Sequence, residues 1–404
     1  MRIAIIRQRY NAFGGAERFV ENALEALLER DVAITLYTRE WPQTRLVLIE
    51  PSLVDPFYLG SLWRDWGFQR GVCKAVSHAR LDLVQSHERL CCCDIFRAGD
   101  GVHAVWLAER NRSLSAVARL GVALNPHHRW LLNMEKRMFA SPWLSAVICN
   151  SQMVRDEIRE HFGIADDKLH VIYNAVDSEM YAPASADARN AARARFGLHA
   201  DATVFVMVGS GYARKGAASA IRALAGLPPS THLVIVGADK HLTRYAQLVR
   251  SLGLRGRVTI AGPQLDVKPY YAAADAFVLP TIYDPCPNAA LEAMACGLPI
   301  VTSTKCGAAE LAREHDAGFA CDAQDIDALR EHMRTLADAG LRAKMGANAR
   351  AAMLPLSSSA MTLKLVLLYK QLLAASVAHR RPAAAKAARP ADPPAKPPAP
   401  PAPG

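Results

Sequence analysis

The chain has 404 residues, of which 51% are hydrophobic and 21% charged, and a formal net charge of +10 at pH 7. A length of this order favours two or three domains of about 150 residues, and the apolar share excludes global disorder. The longest apolar runs, such as Val204–Val208 and Leu365–Leu368, fall far below the roughly 18 residues of a bilayer span, and Ile3–Ile6 ahead of Arg7 and Arg9 is too short for a secretory leader, so a cytoplasmic chain is expected.

Ile3–Ile6 is a short continuous apolar run, the pattern of a parallel strand covered on both faces. After Asn11–Gly15, the residues Phe19, Val20, Ala23, Leu24, Leu27 and Leu28 recur at helical spacing, and Val32–Tyr37 reads as a second strand. Together they predict a right-handed βαβ unit. Gly14 and Gly15 lie in its first loop, where glycine lets a backbone approach a ligand and the following helix offers free N–H groups to an anion. No G-x-G-x-x-G runs through this loop, and local sequence leaves a ligand loop and a plain turn equally open. Leu81–Gln85 and Ala146–Cys149 read as further strands of the same sheet.

The nine cysteines stand at 73, 91, 92, 93, 149, 286, 296, 306 and 321, with no pair spaced for zinc. They read as reduced thiols, and no metal is implied. Between Trp106 and Trp143, the cations Arg110, Arg112, Arg119, Arg129, Lys136 and Arg137 face only Glu109 and Glu135, with Trp130 and leucines interleaved. That mixture suits either an interfacial segment on an anionic leaflet or a solvated basic helix pair. The polar, alanine-rich stretch Asp177–Arg195 reads as a domain end and linker.

A second alternating series follows. Strands are expected at Thr203–Val208, His232–Val236, Arg257–Ile260, Ala276–Leu279 and Pro299–Val301, with helices starting near Lys215, His241, Val267, Asn288 and Ala308. The chain therefore reads as two doubly wound α/β domains, whose ligand site lies beyond the carboxyl ends of the strands. Helical pattern continues through Ile326–Met353 and Leu363–Leu373. Nine of the 24 prolines fall in the last 23 residues, which predicts an extended, disordered Pro/Ala-rich tail. Residues from Arg380 onward carry a net +4, leaving +6 on the body, a balance that favours an anionic partner.

Two loops of the second series carry the chemistry. Gly209-Ser210-Gly211-Tyr212-Ala213-Arg214-Lys215-Gly216 follows a strand and ends in adjacent cations. Its third dinucleotide glycine is replaced by Arg214 and it lacks the ending of a P-loop, whereas Arg and Lys together suit a diphosphate. Asp284 lies in the proline-fixed loop Pro280–Pro287, ahead of a helix that Asn288 is expected to cap and that carries Glu292 before ending at Gly297. Two carboxylates eight positions apart can accept from a polyhydroxylated ligand.

The glycine loop, Tyr271-x3-Asp275, and the acidic loop with its Ala293–Pro299 helix end resemble the donor half of glycosyltransferase family 4. Tyr173–Asp177 resembles the family's interdomain Pro-Asn-Gly-Val-Asp. The resemblance covers nearly everything to about residue 375. It implies the GT-B fold, two Rossmann-like domains facing across a cleft with a C-terminal helix returning to the first. On that reading residues 1–176 bind the acceptor, 177–355 bind the nucleotide sugar, 356–377 cross back and 378–404 form the tail. The resemblance further implies that Arg214, Lys215 and Gly209 meet the donor diphosphate, with Gly14 and Gly15 nearby. Glu292 would hold the ribose and Asp284 the transferred sugar, with Asn288 and Ala289 as further substrate-binding residues. The family usually has glutamate where Asp284 stands.

Phe96–His103 looks closest to lipopolysaccharide core glucosyltransferases acting on inner-core heptose, which places Asp100 and His103 near the acceptor hydroxyl. The implied enzyme is a retaining, metal-independent hexosyltransferase using UDP-glucose as substrate, needing no cofactor, resting through 106–143 on the inner face of the inner membrane, and binding no nucleic acid. Another family 4 donor and acceptor, a sugar-nucleotide 2-epimerase and a non-catalytic sugar-nucleotide binder are the alternatives.

Overall fold

Short, uninterrupted apolar strands build two wholly parallel sheets, as expected where helices must cover both faces. The computed structural model describes residues 1–9, 32–41 and 51–383, with side chains to residue 375. Gly14, Gly15 and the helix expected at 19–28 lie outside the described residues; of the tail expected at 378–404, residues 378–383 instead continue the last helix and the remainder lies outside them.

The first sheet holds β1 (Arg2–Ile6), β2 (Ala33–Thr38), β3 (Ser52–Leu53), β4 (Leu83–Ser86), β5 (Ile95–Ala98), β6 (Ala146–Cys149) and β7 (Leu169–Val171) in the order β3-β2-β1-β4-β5-β6-β7. The second holds β8 (Thr203–Val208), β9 (Thr231–Val236), β10 (Val258–Gly262), β11 (Ala276–Leu279), β12 (Ile300–Ser303) and β13 (Gly318–Cys321) in the order β10-β9-β8-β11-β12-β13. Both orders reverse between two central strands, β1 and β4 in the first sheet and β8 and β11 in the second. There the loops leaving the strands part to opposite faces and open a crevice.

One core fills the second domain and two lie on either face of the first sheet. The outermost of these is completed by the last helix, Ser358–Ala383, whose Met361, Leu365, Val366, Leu368 and Tyr369 pack against Ile3, Ile5, Leu36, Ile95 and Ile148. The Tyr369 hydroxyl donates to Gln85 Oε1 in β4 at 2.7 Å. The chain thus crosses back to the first domain, and Val176 N–H donates to Leu356 C=O where the two connections run side by side.

Two sequence expectations are corrected. Residues Ala186–Arg195 form a helix rather than a linker. Its arginines are fixed by tertiary partners: Arg189 and Arg193 each donate at 2.6 Å to Asp275, which also accepts from Val204 N–H at 2.7 Å. The cysteines are not all free. Cys73, on the Gly60–His78 helix, is bonded to Cys92, a partner that only the packing of that helix beneath the β4–β5 connection brings close.

Asp275→Ala strands the buried Arg193 guanidinium and orphans a strand N–H. It should lower stability by about 3 to 5 kcal/mol in urea unfolding; a loss under about 1 kcal/mol would show that the arginines find other partners.

Candidate functional site

Where the second sheet reverses, the loops after β8 and β11 meet. Gly209 (φ +153°) and Gly211 (φ +77°) turn the chain into a single helical turn, Tyr212–Lys215, and Gly216 (φ +79°) ends it. A Cβ on Gly216 would stand 1.9 Å from the Pro280 carbonyl oxygen, so glycine is what lets the two loops touch. Gly209 lies against the Lys215 stem.

This contact sets a charge cluster. Lys215 Nζ donates to Asp284 Oδ2 at 2.6 Å, and Arg214 Nη1 donates to the same oxygen at 3.0 Å. Lys215 and Asp284 are buried, while Arg214 is exposed. Burial alone would raise the Asp284 carboxyl, but Lys215 and then Arg214 pull it below the ordinary aspartate value. Asp284 is held further by its backbone: its N–H donates to Lys305 C=O and its C=O accepts from Gly307 N–H, both at 2.9 Å.

The Asn288–Ala295 helix begins directly beyond this loop. Asn288 does not cap it; Pro287 occupies the cap position without a side-chain bond. The Asn288 Oδ1 instead accepts from Asn174 Nδ2 at 2.7 Å, across the domain boundary. Glu292 is buried one turn further on, where Tyr271 donates to its Oε2 at 3.0 Å. Tyr271 also donates to Ala289 C=O at 3.2 Å, so one phenol fixes both residues. The sequence marked Tyr271 only as part of a motif.

On the facing edge of the first sheet, the turn after β5 carries Asp100, which is exposed, and His103, which opens the His103–Arg112 helix and is buried. The His103 backbone N–H meets Glu135, and its Nε2 lies 3.2 Å from His128 Nδ1. Burial, Arg89 and His128 lower the His103 pKa to about 3, so the ring is neutral at pH 7 and serves as a hydrogen-bond partner rather than a cation.

Asn174 joins the two halves. It accepts from the buried Arg97 at 2.5 Å and donates to Cys286 C=O at 3.1 Å. Glu310 accepts from Gln152 and Met153 N–H at the head of the Gln152–Phe162 helix and from the Tyr173 hydroxyl. The sequence marked Asn174 only as part of the interdomain Tyr173–Asp177 motif and Glu310 not at all, because nothing local reveals a partner more than 70 positions away. A cavity of about 690 Å³ lined by Arg189, Tyr271, Asp275 and Arg342 lies at the amino-terminal edge of the second sheet, on the other side of the Tyr271 ring whose hydroxyl holds Glu292.

The basic segment forms three helices rather than a pair: His103–Arg112, Ala116–Leu124 and Pro126–Phe139. The middle one buries no residue, and Val117, Leu120 and Leu124 are 82%, 59% and 63% exposed. Arg119 lies on this helix, with Arg112 before it and Arg129 after. No single helix among the described residues is long and apolar enough to cross a membrane.

Two family models match the chain: Glycosyltransferase Family 4 over residues 13–180 and Glycosyl transferases group 1 over residues 188–352. A D-inositol 3-phosphate glycosyltransferase of Xylanimonas cellulosilytica is 27% identical over 380 residues, 84% of this chain and 87% of that one. The lipopolysaccharide glucosyltransferase WaaG of Escherichia coli K12 is 23% identical over 323 residues, 79% and 84% of the two chains. A crystal structure of WaaG superposes with a TM-score of 0.77 at 22% identity, covering 89% of this chain and 99% of that one. Anabaena HepE in complex with UDP and glucose gives 0.70 at 22%, covering 92% and 100%.

Lys215→Met removes the largest charge opposing the desolvation of Asp284. The folded pKa of Asp284 then rises, and the ionised carboxylate becomes a penalty that protonation relieves. The stability lost in this variant should therefore be greatest near pH 7 and shrink as pH falls through the raised pKa of Asp284 into the ordinary aspartate range. Urea unfolding across that range checks this; a pH-independent loss would mean that Arg214 alone satisfies Asp284.

Proposed function

Since the chain belongs to glycosyltransferase family 4, with one family model on each half, we propose that it is a retaining hexosyltransferase that moves glucose from UDP-glucose onto an inner-core heptose of lipopolysaccharide, without a metal or other cofactor. The observation that carries this reading is the pair Arg214 and Lys215, both bound to Asp284 at the head of the Asn288–Ala295 helix. Two cations beside a helix amino terminus suit a diphosphate.

The residues divide the work as follows. Arg214 and Lys215 offset the charge that grows on the departing UDP, a stabilisation larger in the transition state than in the bound donor. Asp284 keeps both cations in place and accepts from hydroxyls of the hexose. Glu292, oriented by Tyr271, accepts from the ribose, with Asn288 and Ala289 beside it. The acceptor oxygen bonds to the anomeric carbon as the bond to the diphosphate oxygen breaks on the same face, and the acceptor proton passes to the diphosphate. Asp100 and His103 orient that acceptor.

UDP and glucose are what HepE binds in its crystal structure, and WaaG is named a lipopolysaccharide glucosyltransferase; both support the donor and the acceptor chosen. A phosphorylated cyclitol acceptor is the second reading, favoured by the 27% identity to the D-inositol 3-phosphate enzyme. A lipid-borne acceptor also gives the exposed face of the Ala116–Leu124 helix a purpose, as an apolar ridge flanked by arginines that rests on the anionic inner leaflet.

Purified protein should hydrolyse or transfer from UDP-glucose in preference to other nucleotide sugars; failure with every UDP-sugar overturns the donor, and transfer to D-inositol 3-phosphate alone overturns the acceptor. Lys215→Ala and Glu292→Ala should each cut turnover at least roughly tenfold, equivalent to about 1.4 kcal/mol of transition-state stabilisation. In sedimentation with anionic vesicles, the double substitution Leu120→Glu, Leu124→Glu should lower the bound fraction at least about fivefold, and unchanged binding would remove this helix from the membrane contact.

A further inference from the structure

Tyr283, immediately before Asp284, has its hydroxyl on the opposite domain. It accepts from Val102 N–H at 2.9 Å and donates to Glu157 Oε2 at 2.7 Å. Val102 directly precedes His103 and closes the turn that carries Asp100. One phenol therefore stands a single residue from Asp284 on one side and a single residue from His103 on the other.

Glu157, buried on the Gln152–Phe162 helix, has a second guest. Its Oε1 accepts from Lys305 Nζ at 2.9 Å, and the Lys305 carbonyl receives the Asp284 N–H. A single carboxylate of the first domain thus fastens both of the neighbouring loops that frame Asp284. The fit is tight: Tyr283 is 1% exposed, and at Gly101 (φ +66°) a Cβ would stand 2.1 Å from the Tyr283 hydroxyl oxygen. Burial and the adjacent Glu157 carboxylate keep the phenol protonated, hence a donor.

We propose that Tyr283 and Glu157 are positioning residues whose hydrogen bond, with that from Val102, sets the spacing between the Asp284 loop and the Asp100–His103 turn. This rests on reading the second domain as the donor side and the first as the acceptor side. Neither residue touches the diphosphate cations by its side chain, so the pair governs the transfer step and not donor binding. A spacing error of about 1 Å between reacting groups is enough to slow a transfer by roughly a hundredfold.

The test uses the full-length chain with Tyr283→Phe, which keeps the ring and removes both hydrogen bonds, and Glu157→Gln, which keeps a carbonyl acceptor for the phenol. Calorimetry with UDP, kinetics with UDP-glucose, the partition between transfer and donor hydrolysis, and small-angle scattering are the readouts. Tyr283→Phe should leave UDP affinity and donor KM within about twofold while kcat for transfer falls at least roughly tenfold. Hydrolysis should gain relative to transfer, and the radius of gyration should increase. Glu157→Gln should lie between this variant and wild type.

Wild-type kcat with unchanged scattering in Tyr283→Phe would overturn the proposal. So would an equal loss of UDP affinity and kcat, which would mean that Tyr283 only maintains the donor loop. Scattering requires no donor, so inactivity of the wild type toward all UDP-sugars would refute the donor reading while the radius of gyration still decides the coupling.

Discussion

Asp284 is a carboxylate taken out of water and held there by two cations from a loop 69 residues earlier in the chain. Burying it without them would cost several kcal/mol, so the site exists only where both loops arrive together. The parallel sheet provides that meeting at its reversal between β8 and β11. Gly216 provides the clearance, since any side chain there would strike Pro280. Topology, a backbone conformation open to glycine and a charge cluster are thus one constraint, which the transferase of family 4 meets with side chains from a single domain.

The second domain is incomplete as a site without the first. Asn174 reaches from the interdomain connection to the Cys286 carbonyl and to Asn288, and Glu310 satisfies the free N–H groups at the head of a first-domain helix. These contacts are polar and at least partly buried, and such groups are costly to leave unpaired. They therefore favour one relative placement of the domains over a continuum. Ser358–Ala383 reinforces it by returning to the first sheet, where Tyr369 meets Gln85.

The outer surface of the first domain follows a different logic. The Ala116–Leu124 helix places Val117, Leu120 and Leu124 in solvent and buries none of its residues fully. Its stability comes from a Ser115 cap and from contact with the neighbouring Pro126–Phe139 helix. An apolar face of this kind gains most from a surface outside the protein.

The sequence by itself determined the two sheets, because continuous apolar runs of four to six residues are intrinsically buried strands and their alternation with helical periods leaves few other folds. It also singled out Arg214, Lys215, Asp284 and Glu292 in the second domain, because each lies in a loop or helix whose flanking glycines and prolines announce its local form. It misread Ala186–Arg195 as a linker, since alanines and arginines carry a weak amphipathic signal and the helix is anchored by Asp275, eighty residues on. It misread Cys73 and Cys92 as separate thiols for the same reason of distance. Only the tertiary structure decided that Asp284 is the shared partner of both cations, that Asn288 faces Asn174 instead of capping its helix, and that Tyr283 and Glu157 join the domains. Local pattern records what a residue prefers along its own segment, whereas these pairings are set by which strand ends the fold brings face to face.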